Sequence, residues 1–269
     1  VLCIQPFAKE TIMSATEIVL NTLAAIFVNF DTEAAKALLA PDYIQHNPAV
    51  PTGAETIIGF IPALKESGIG VTTHRVITEG DFVLLHNTYT NAQAFGAPTL
   101  VAFDLFRVEN GKAAEHWDNL QAPAGPNPSG RKMTDGATAV TDHDLTVENK
   151  ALVTAFATDV LIGGQFDKAA DYIVSGEGYQ QHNPGIGDGL VALGTAFAAL
   201  AEAGSPVTYT KVHRTVAEGN FVFLMSEGTI GPVPTAFFDL FRVEGGKIVE
   251  HWDVVSPIPP EMAHDNGKF

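Results

Sequence analysis

The chain has 269 residues, a formal net charge of −16 and a hydrophobic content of 46%. That length suits two domains better than one, and the apolar fraction can fill their cores. The charge argues against nucleic acid and anionic membrane surfaces as partners, since both need basic patches. The single cysteine, Cys3, rules out an internal disulfide framework and any Cys-based zinc site. No stretch approaches eighteen apolar residues, so no membrane-spanning helix is expected. Residues 1–10 lack the basic start and long apolar run of a signal peptide, which makes the cytoplasm the default compartment.

Ser14-Ala15-Thr16-Glu17 has the spacing of a capping box, and Ile18, Leu20, Leu23, Ile26, Phe27 and Phe30 follow at roughly helical spacing. Asp31 predicts the cap of a second helix, stopped near Pro41. Tyr43-Ile44-Gln45-His46-Asn47-Pro48 reads as a loop or short extended piece, because Pro48 disfavours the helical region for Asn47. A third helical pattern runs from Gly53 to Ser67 and ends at Gly68 and Gly70. The period then changes to two, with strands predicted over 71–77 and 82–90 around the turn Glu79-Gly80-Asp81. Helices first and a strand meander after them point to an α+β domain.

The next stretch occurs twice. Phe103-Asp104-Leu105-Phe106-Arg107-Val108-Glu109-Asn110-Gly111-Lys112, continued by Glu115-His116-Trp117-Asp118, returns as Phe238-Asp239-Leu240-Phe241-Arg242-Val243-Glu244-Gly245-Gly246-Lys247, continued by Glu250-His251-Trp252-Asp253. Each copy reads as a β-hairpin. A two-residue turn at Asn110-Gly111 would set Asp104 opposite Trp117. A three-residue loop, with Gly111 in a bulge, sets Asp104 opposite His116, puts Asp118 on the same face and brings Arg107 near Glu115. The better sorting of charges favours the bulged loop. Trp117 and Trp252 then point away from the aspartates, into core or an interface.

The whole cycle restarts after a Pro/Gly-rich stretch. Gln181-His182-Asn183-Pro184 repeats Gln45-His46-Asn47-Pro48, Gly189 and Gly204 repeat Gly53 and Gly68, and His213-Arg214 repeats His74-Arg75. A long period occurring twice indicates a duplicated domain. The expected organisation is one domain over 14–121, a linker over 122–145 and a second domain over 146–258.

These residues carry a resemblance. A helical half with His-Asn-Pro, then Glu-Gly-Asp/Asn, Phe-Asp-Leu-Phe-Arg-Val-Glu and Glu-His-Trp-Asp, resembles the SnoaL-like polyketide cyclase group, over 14–121 and 146–256. That group lies within the nuclear transport factor 2-like, ketosteroid isomerase-like superfamily. The resemblance implies two tandem cone-shaped domains, each a curved sheet wrapped around helices with a pocket at its open end. It also implies that the aspartate ending the hairpin, Asp118 or Asp253, moves a proton beside a carbonyl. Asp104 and Asp239 stand where the founding cyclase has a histidine, a departure that points towards aldol-condensation-type relatives. Members of the superfamily commonly dimerise through the sheet's outer face, so the two copies are expected to pair as an internal pseudo-dimer.

The expected chemistry is general acid/base catalysis on a small hydrophobic carbonyl compound, by isomerisation, cyclisation or an aldol-type step, with no cofactor required. The expected catalytic residues are Asp118, His116 and Asp104 in the first copy and Asp253, His251 and Asp239 in the second. His46, Asn47, His182 and Asn183 are expected to bind ligand at the pocket mouths. The competing reading is a carrier or sensor whose Asp–His pairs only satisfy one another. A third has one live and one degenerate site, which the changes from His86 to Met225 and from Asn87 to Ser226 would permit. No metal is expected: His46, His74, His86 and His116 show no tight ligand spacing, and the second copy lacks the His86 equivalent.

Overall fold

A computed structural model describes residues 13–269. Cys3 and the reading of residues 1–10 lie outside the described residues. The first copy opens with α1 (Ala15–Phe27), capped as its sequence requires: Ser14 and Glu17 exchange the two reciprocal bonds of a capping box. Asp31 caps α2 (Thr32–Leu38) through Ala34 N–H, and α3 (Ala54–Ser67) ends at Gly68 in the left-handed conformation. The strands are β1 (Leu39–Gln45), β2 (Gly70–Glu79), β3 (Phe82–Thr90), β4 (Thr99–Glu109) and β5 (Lys112–Gln121). They form one curved sheet in the order β1-β5-β4-β3-β2. The loop or short extended piece expected at 43–48 is extended through Gln45, where β1 ends, and β1 runs parallel to β5.

The second copy rebuilds this order with α4 (Thr146–Phe156), a π-helical turn over Ala157–Ile162, α5 (Ala169–Tyr172) and α6 (Leu190–Glu202). Its sheet comprises β6 (Gln180–Gln181), β7 (Val207–Glu218), β8 (Phe221–Ile230), β9 (Val233–Glu244) and β10 (Lys247–Pro257), in the order β6-β10-β9-β8-β7.

Hairpin register departs from the expected bulged loop. Glu109 pairs with Lys112 around a two-residue turn, with Asn110 at φ 50 and Gly111 at φ 74, the geometry a type I′ turn demands. The bulge lies further on, at Ala114, after which Arg107 faces Glu115 and Asp104 faces Asp118 directly. The turn chemistry sets the loop, and the extra residue returns Asp104, His116 and Asp118 to one face. The second copy repeats this, with Gly245-Gly246 in the turn, Val249 unpaired and Asp239 opposite Asp253.

Alternation along β4 then sends Phe103 and Leu105 to one side of the sheet and Asp104 and Phe106 to the other. On the first side the two sheets share a hydrophobic core: Phe103, Leu105 and Trp117 pack with Phe223, Phe238, Leu240 and Trp252. Each helical side has apolar clusters of its own.

The segment between the sheets is not a loose tether. Asn127 donates to the carbonyls of Gln181 and Ile186, Trp252 Nε1 donates to Asp135 O at 2.8 Å, and Met133 is buried in the shared core. The end of the chain makes the converse crossing. Ala263 N–H donates to Pro48 O, Asn266 donates to Gln45 O, and Lys268 Nζ donates to Asp118 O. Each copy is thus strapped by chain that leaves the other.

Phe223 is fully buried, with its ring 5.7 Å from Phe103 of the opposite sheet. Phe223→Ala is expected to cost about 3–5 kcal/mol of stability in urea denaturation. A cost below about 1 kcal/mol would mean that this seam is not a packed core.

Candidate active site

The floor of the second copy's site comes from β9, β10 and the residues just after β6. Asp239 and Asp253 oppose each other across β9 and β10, and His251 lies on the same face. Like charges directly opposite on a sheet repel, so each carboxylate needs donors. Asp239 accepts from Tyr209 Oη at 3.2 Å and lies 3.0 Å from His251 Nε2, with which it shares a hydrogen bond. Asp253 Oδ2 accepts from Asn183 Nδ2 at 2.7 Å, while Asp253 Oδ1 is buried without a hydrogen-bond partner among the described residues. Burial pushes the Asp253 carboxyl above its ordinary value; His251 opposes that rise and the Asp239 charge adds to it. Burial, reinforced by the two carboxylates, also pushes the Tyr179 and Tyr209 phenols well up, so both hydroxyls stay protonated donors.

The first copy has the same floor. Asp104 accepts from Asn87, Tyr89 and His116, and Asp118 Oδ2 accepts from Asn47 Nδ2 at 2.6 Å. Asp118 Oδ1, like Asp253 Oδ1, is buried without a hydrogen-bond partner among the described residues; the difference is that it sits 3.7 Å from the buried ammonium of Lys268. Burial lowers the affinity of that amine for its proton, and the Asp118 charge works against this. The residue 135 positions earlier is Met133, so the second copy has no such cation.

The walls differ more than the floors. The second site opens into a cavity of about 1100 Å³ lined by apolar residues of the π-helical turn, α6 and β7. The first holds about 80 Å³, closed by Phe27, Phe60, Phe95 and Leu64. The sequence explains the contrast. Counting from Gly53 and Gly189, Ile58 and Phe60 of α3 correspond to Gly194 and Ala196 of α6. The β3–β4 connection carries Phe95, whereas Gly231-Pro232 alone joins β8 to β9. α3 buries Ile61 and Leu64, while no α6 residue is fully buried.

The expected site residues separate into two groups. Asp104, His116 and Asp118 come together, as do Asp239, His251 and Asp253, and Asn47 and Asn183 reach the second aspartate of each set. His46 and His182 do not line the cavities. Their rings stack on Trp117 and Trp252 at 4.9 and 4.8 Å, with Nε2 on Glu115 and Glu250 and Nδ1–H donated to Gly267 O and Lys132 O. They anchor the straps. Gln45 and Gln181 were absent from the expected set, yet they hold His116 and His251 from within the same Gln-His-Asn-Pro strings. Tyr179 repeats Tyr43 at the head of the Tyr-x-Gln-His-Asn-Pro string, a signal that could have found it, whereas Tyr89 and Tyr209 carry no local motif that would have marked them.

Each Asp–His–Asp set offers three ligand atoms within 4.8 Å of one another, a spacing that a divalent cation could use. Here both ring nitrogens of each histidine are already engaged inside the protein, so a cation would first have to break the His–Asp contact. Among the described residues no helix is long and apolar enough to cross a membrane.

Comparison with known proteins agrees with this architecture. A family profile described as "SnoaL-like domain" matches residues 20–116 and again 153–251. No curated protein matches. Among solved structures, TsrD from Streptomyces laurentii is 24% identical, covering 39% of this chain and 87% of its own, with a TM-score of 0.34. IdmH from Streptomyces antibioticus, a proposed polyketide cyclase, is 20% identical over 40% of this chain and 93% of its own, at 0.35. An NTF2-like protein of unknown function from Cytophaga hutchinsonii is 18% identical over 42% and 94%, also at 0.35.

Asp253 supplies a pH test. Its raised carboxyl means that the folded state holds this proton more tightly than the unfolded chain does. The cost of ionising it therefore grows as pH rises from about the ordinary 3.8 through the raised value. Asp253→Asn is expected to melt above wild type at pH 7, with the gain shrinking as pH falls towards 4. A variant that melts lower at pH 7 and gains on acidification would contradict the assignment.

Proposed function

Because the chain belongs to the SnoaL-like domain family, in two copies, we propose that it is an acid/base enzyme acting on a hydrophobic carbonyl compound in the cavity of the second copy. One observation carries this reading: the buried, unpartnered Asp253 Oδ1 at the floor of a large apolar cavity. A carboxylate there is short of solvation and keeps a lone pair free for a substrate proton.

The step is proton abstraction beside the carbonyl. Asp253 Oδ1 takes the α-proton, the C–H electron pair moves into the adjoining bond, and negative charge develops on the carbonyl oxygen. Tyr179, which lines the cavity and is held protonated by burial, is the available donor to that oxygen. Asn183 holds the other Asp253 oxygen, which aims the base. Return of the proton to a different carbon gives isomerisation; attack of the enolate on a second carbonyl gives an aldol-type ring closure. The walls around the base are largely apolar, which leaves few polar groups besides the floor to compete for the enolate.

The first copy is read as a structural partner. Its 80 Å³ cavity has little room beyond water, and Lys268 lies against its aspartate. The packing of the two sheets through one core supports reading the pair as an internal counterpart of a two-chain dimer.

A non-catalytic carrier would use the same cavity without turnover. Exchange of α-protons in deuterated water, across a panel of cyclic and β-dicarbonyl compounds, separates the two. Asp253→Asn is expected to lower exchange by about 10²–10⁴-fold while ligands still bind, and Asp118→Asn to change it less than about threefold. Binding with no exchange for any compound would leave the carrier reading standing. Equal losses in both variants would overturn the assignment to the second copy.

A further inference from the structure

We propose that Gln181 is a positioning residue that locks His251 in its Nδ1–H form and thereby keeps one proton in the contact between His251 Nε2 and Asp239. The proposal rests on the catalytic reading for its consequence, but not for its geometry. Gln181 is fully buried, and its Oε1 lies 2.9 Å from each of three nitrogens: His182 N, Asn183 N and His251 Nδ1. Two of these are main-chain N–H groups, which can only donate. The side-chain atom that meets them must be the amide oxygen, and that fixes which way the amide lies. An amide oxygen only accepts, so His251 Nδ1 must carry a hydrogen.

The other ring nitrogen follows from this. His251 Nε2 lies 3.0 Å from Asp239 Oδ1. With Nδ1 protonated, an Nε2 without a proton would set its lone pair against those of a carboxylate, which is repulsive. The contact therefore holds one proton, either on the ring facing a carboxylate or on the Asp239 carboxyl facing a neutral ring. The state with neither is closed by Gln181. The same amide, through its bonds to His182 N and Asn183 N, shapes the turn that presents Asn183 to Asp253. One side chain thus sets both the proton held on Asp239–His251 and the aim of the base. The first copy carries the same lock: Gln45 Oε1 lies 2.9 Å from His46 N and Asn47 N and 3.0 Å from His116 Nδ1.

For turnover, the proton that returns to the product carbon or oxygen is the one Asp253 took from the substrate, while the Asp239–His251 contact keeps its own proton throughout and so holds the charge beside the base constant.

The test is side-chain nitrogen NMR on uniformly ¹⁵N-histidine-labelled protein, with His251 assigned by the signals lost in His251→Asn. Wild type is expected to show His251 Nδ1 protonated from pH 6 to pH 8. Gln181→Leu, which removes the acceptor, is expected to mix the tautomers and lower kcat at least tenfold with KM little changed. Gln181→Glu retains an acceptor and is expected to restore the Nδ1–H form and part of kcat. An unprotonated Nδ1 in wild type would overturn the proposal whatever the turnover. So would a stoichiometric divalent metal in the purified protein whose removal by chelator shifts Nε2, since a metal would then fill the place of the proton. An intact Nδ1–H lock in a protein that exchanges no substrate proton supports the lock and overturns the catalytic reading alone.

Discussion

One unpaired residue in the last strand of each hairpin sets the register on which everything else depends. Ala114 and Val249 shift β5 and β10 by one place, and in a pleated sheet one place exchanges the faces. Without that shift the two-residue turns would set Asp104 against Trp117, and the tryptophans would share the face of Asp104 and Asp239. With it, the carboxylates and the histidine gather on the helical side of each sheet. Trp117 and Trp252 gather on the other, where the two sheets meet. The arrangement forces two carboxylates into opposition, and much of the local sequence answers that problem with donors: Asn183, Tyr209 and His251 in one copy, and Asn47, Asn87, Tyr89 and His116 in the other.

The two copies keep the same floor and differ in their walls. The polar residues that face each other across the hairpin recur almost one for one, while the residues above them range from Phe60 and Ile58 to Ala196 and Gly194. Removing those side chains, together with the loop that carries Phe95, leaves α6 resting on the rim of a cavity with no residue fully buried. Such a helix contributes little to packing, and the space beneath it is the counterpart of that loss. The first copy, with Ile61 and Leu64 of α3 packed inward, carries the tighter core.

The sequence made the duplication, the α+β order, the helix caps and the Asp–His–Asp grouping legible, because each rests on local chemistry or on a repeated string. It misplaced the bulge. Charge sorting correctly identified the shared face, but turn residues and bulge position are independent, and only the turn residues are visible in Asn110-Gly111. The histidine of Gln-His-Asn-Pro was assigned to the wrong side of the strand end. His182 and Gln181 are neighbours that point to opposite faces, and nothing local says which one turns inwards. The cavity volumes were out of reach, since they depend on how α3 and α6 seat against distant strands. Lys268, far along the chain from Asp118, could not have been paired with it by spacing alone.

The straps cross over. Chain leaving the first sheet lies on the second, beside Trp252, and chain leaving the second lies on the first, beside His46. Each strap therefore covers the sheet that the chain is not leaving. Neither half is self-contained in such an arrangement. A copy produced alone would carry a tail whose docking surface is missing and a sheet edge whose cover is missing, and a second molecule of the same half could supply both. Joining the copies in one polypeptide holds each strap at a high effective concentration beside the sheet it covers, which separate halves would have to reach by collision.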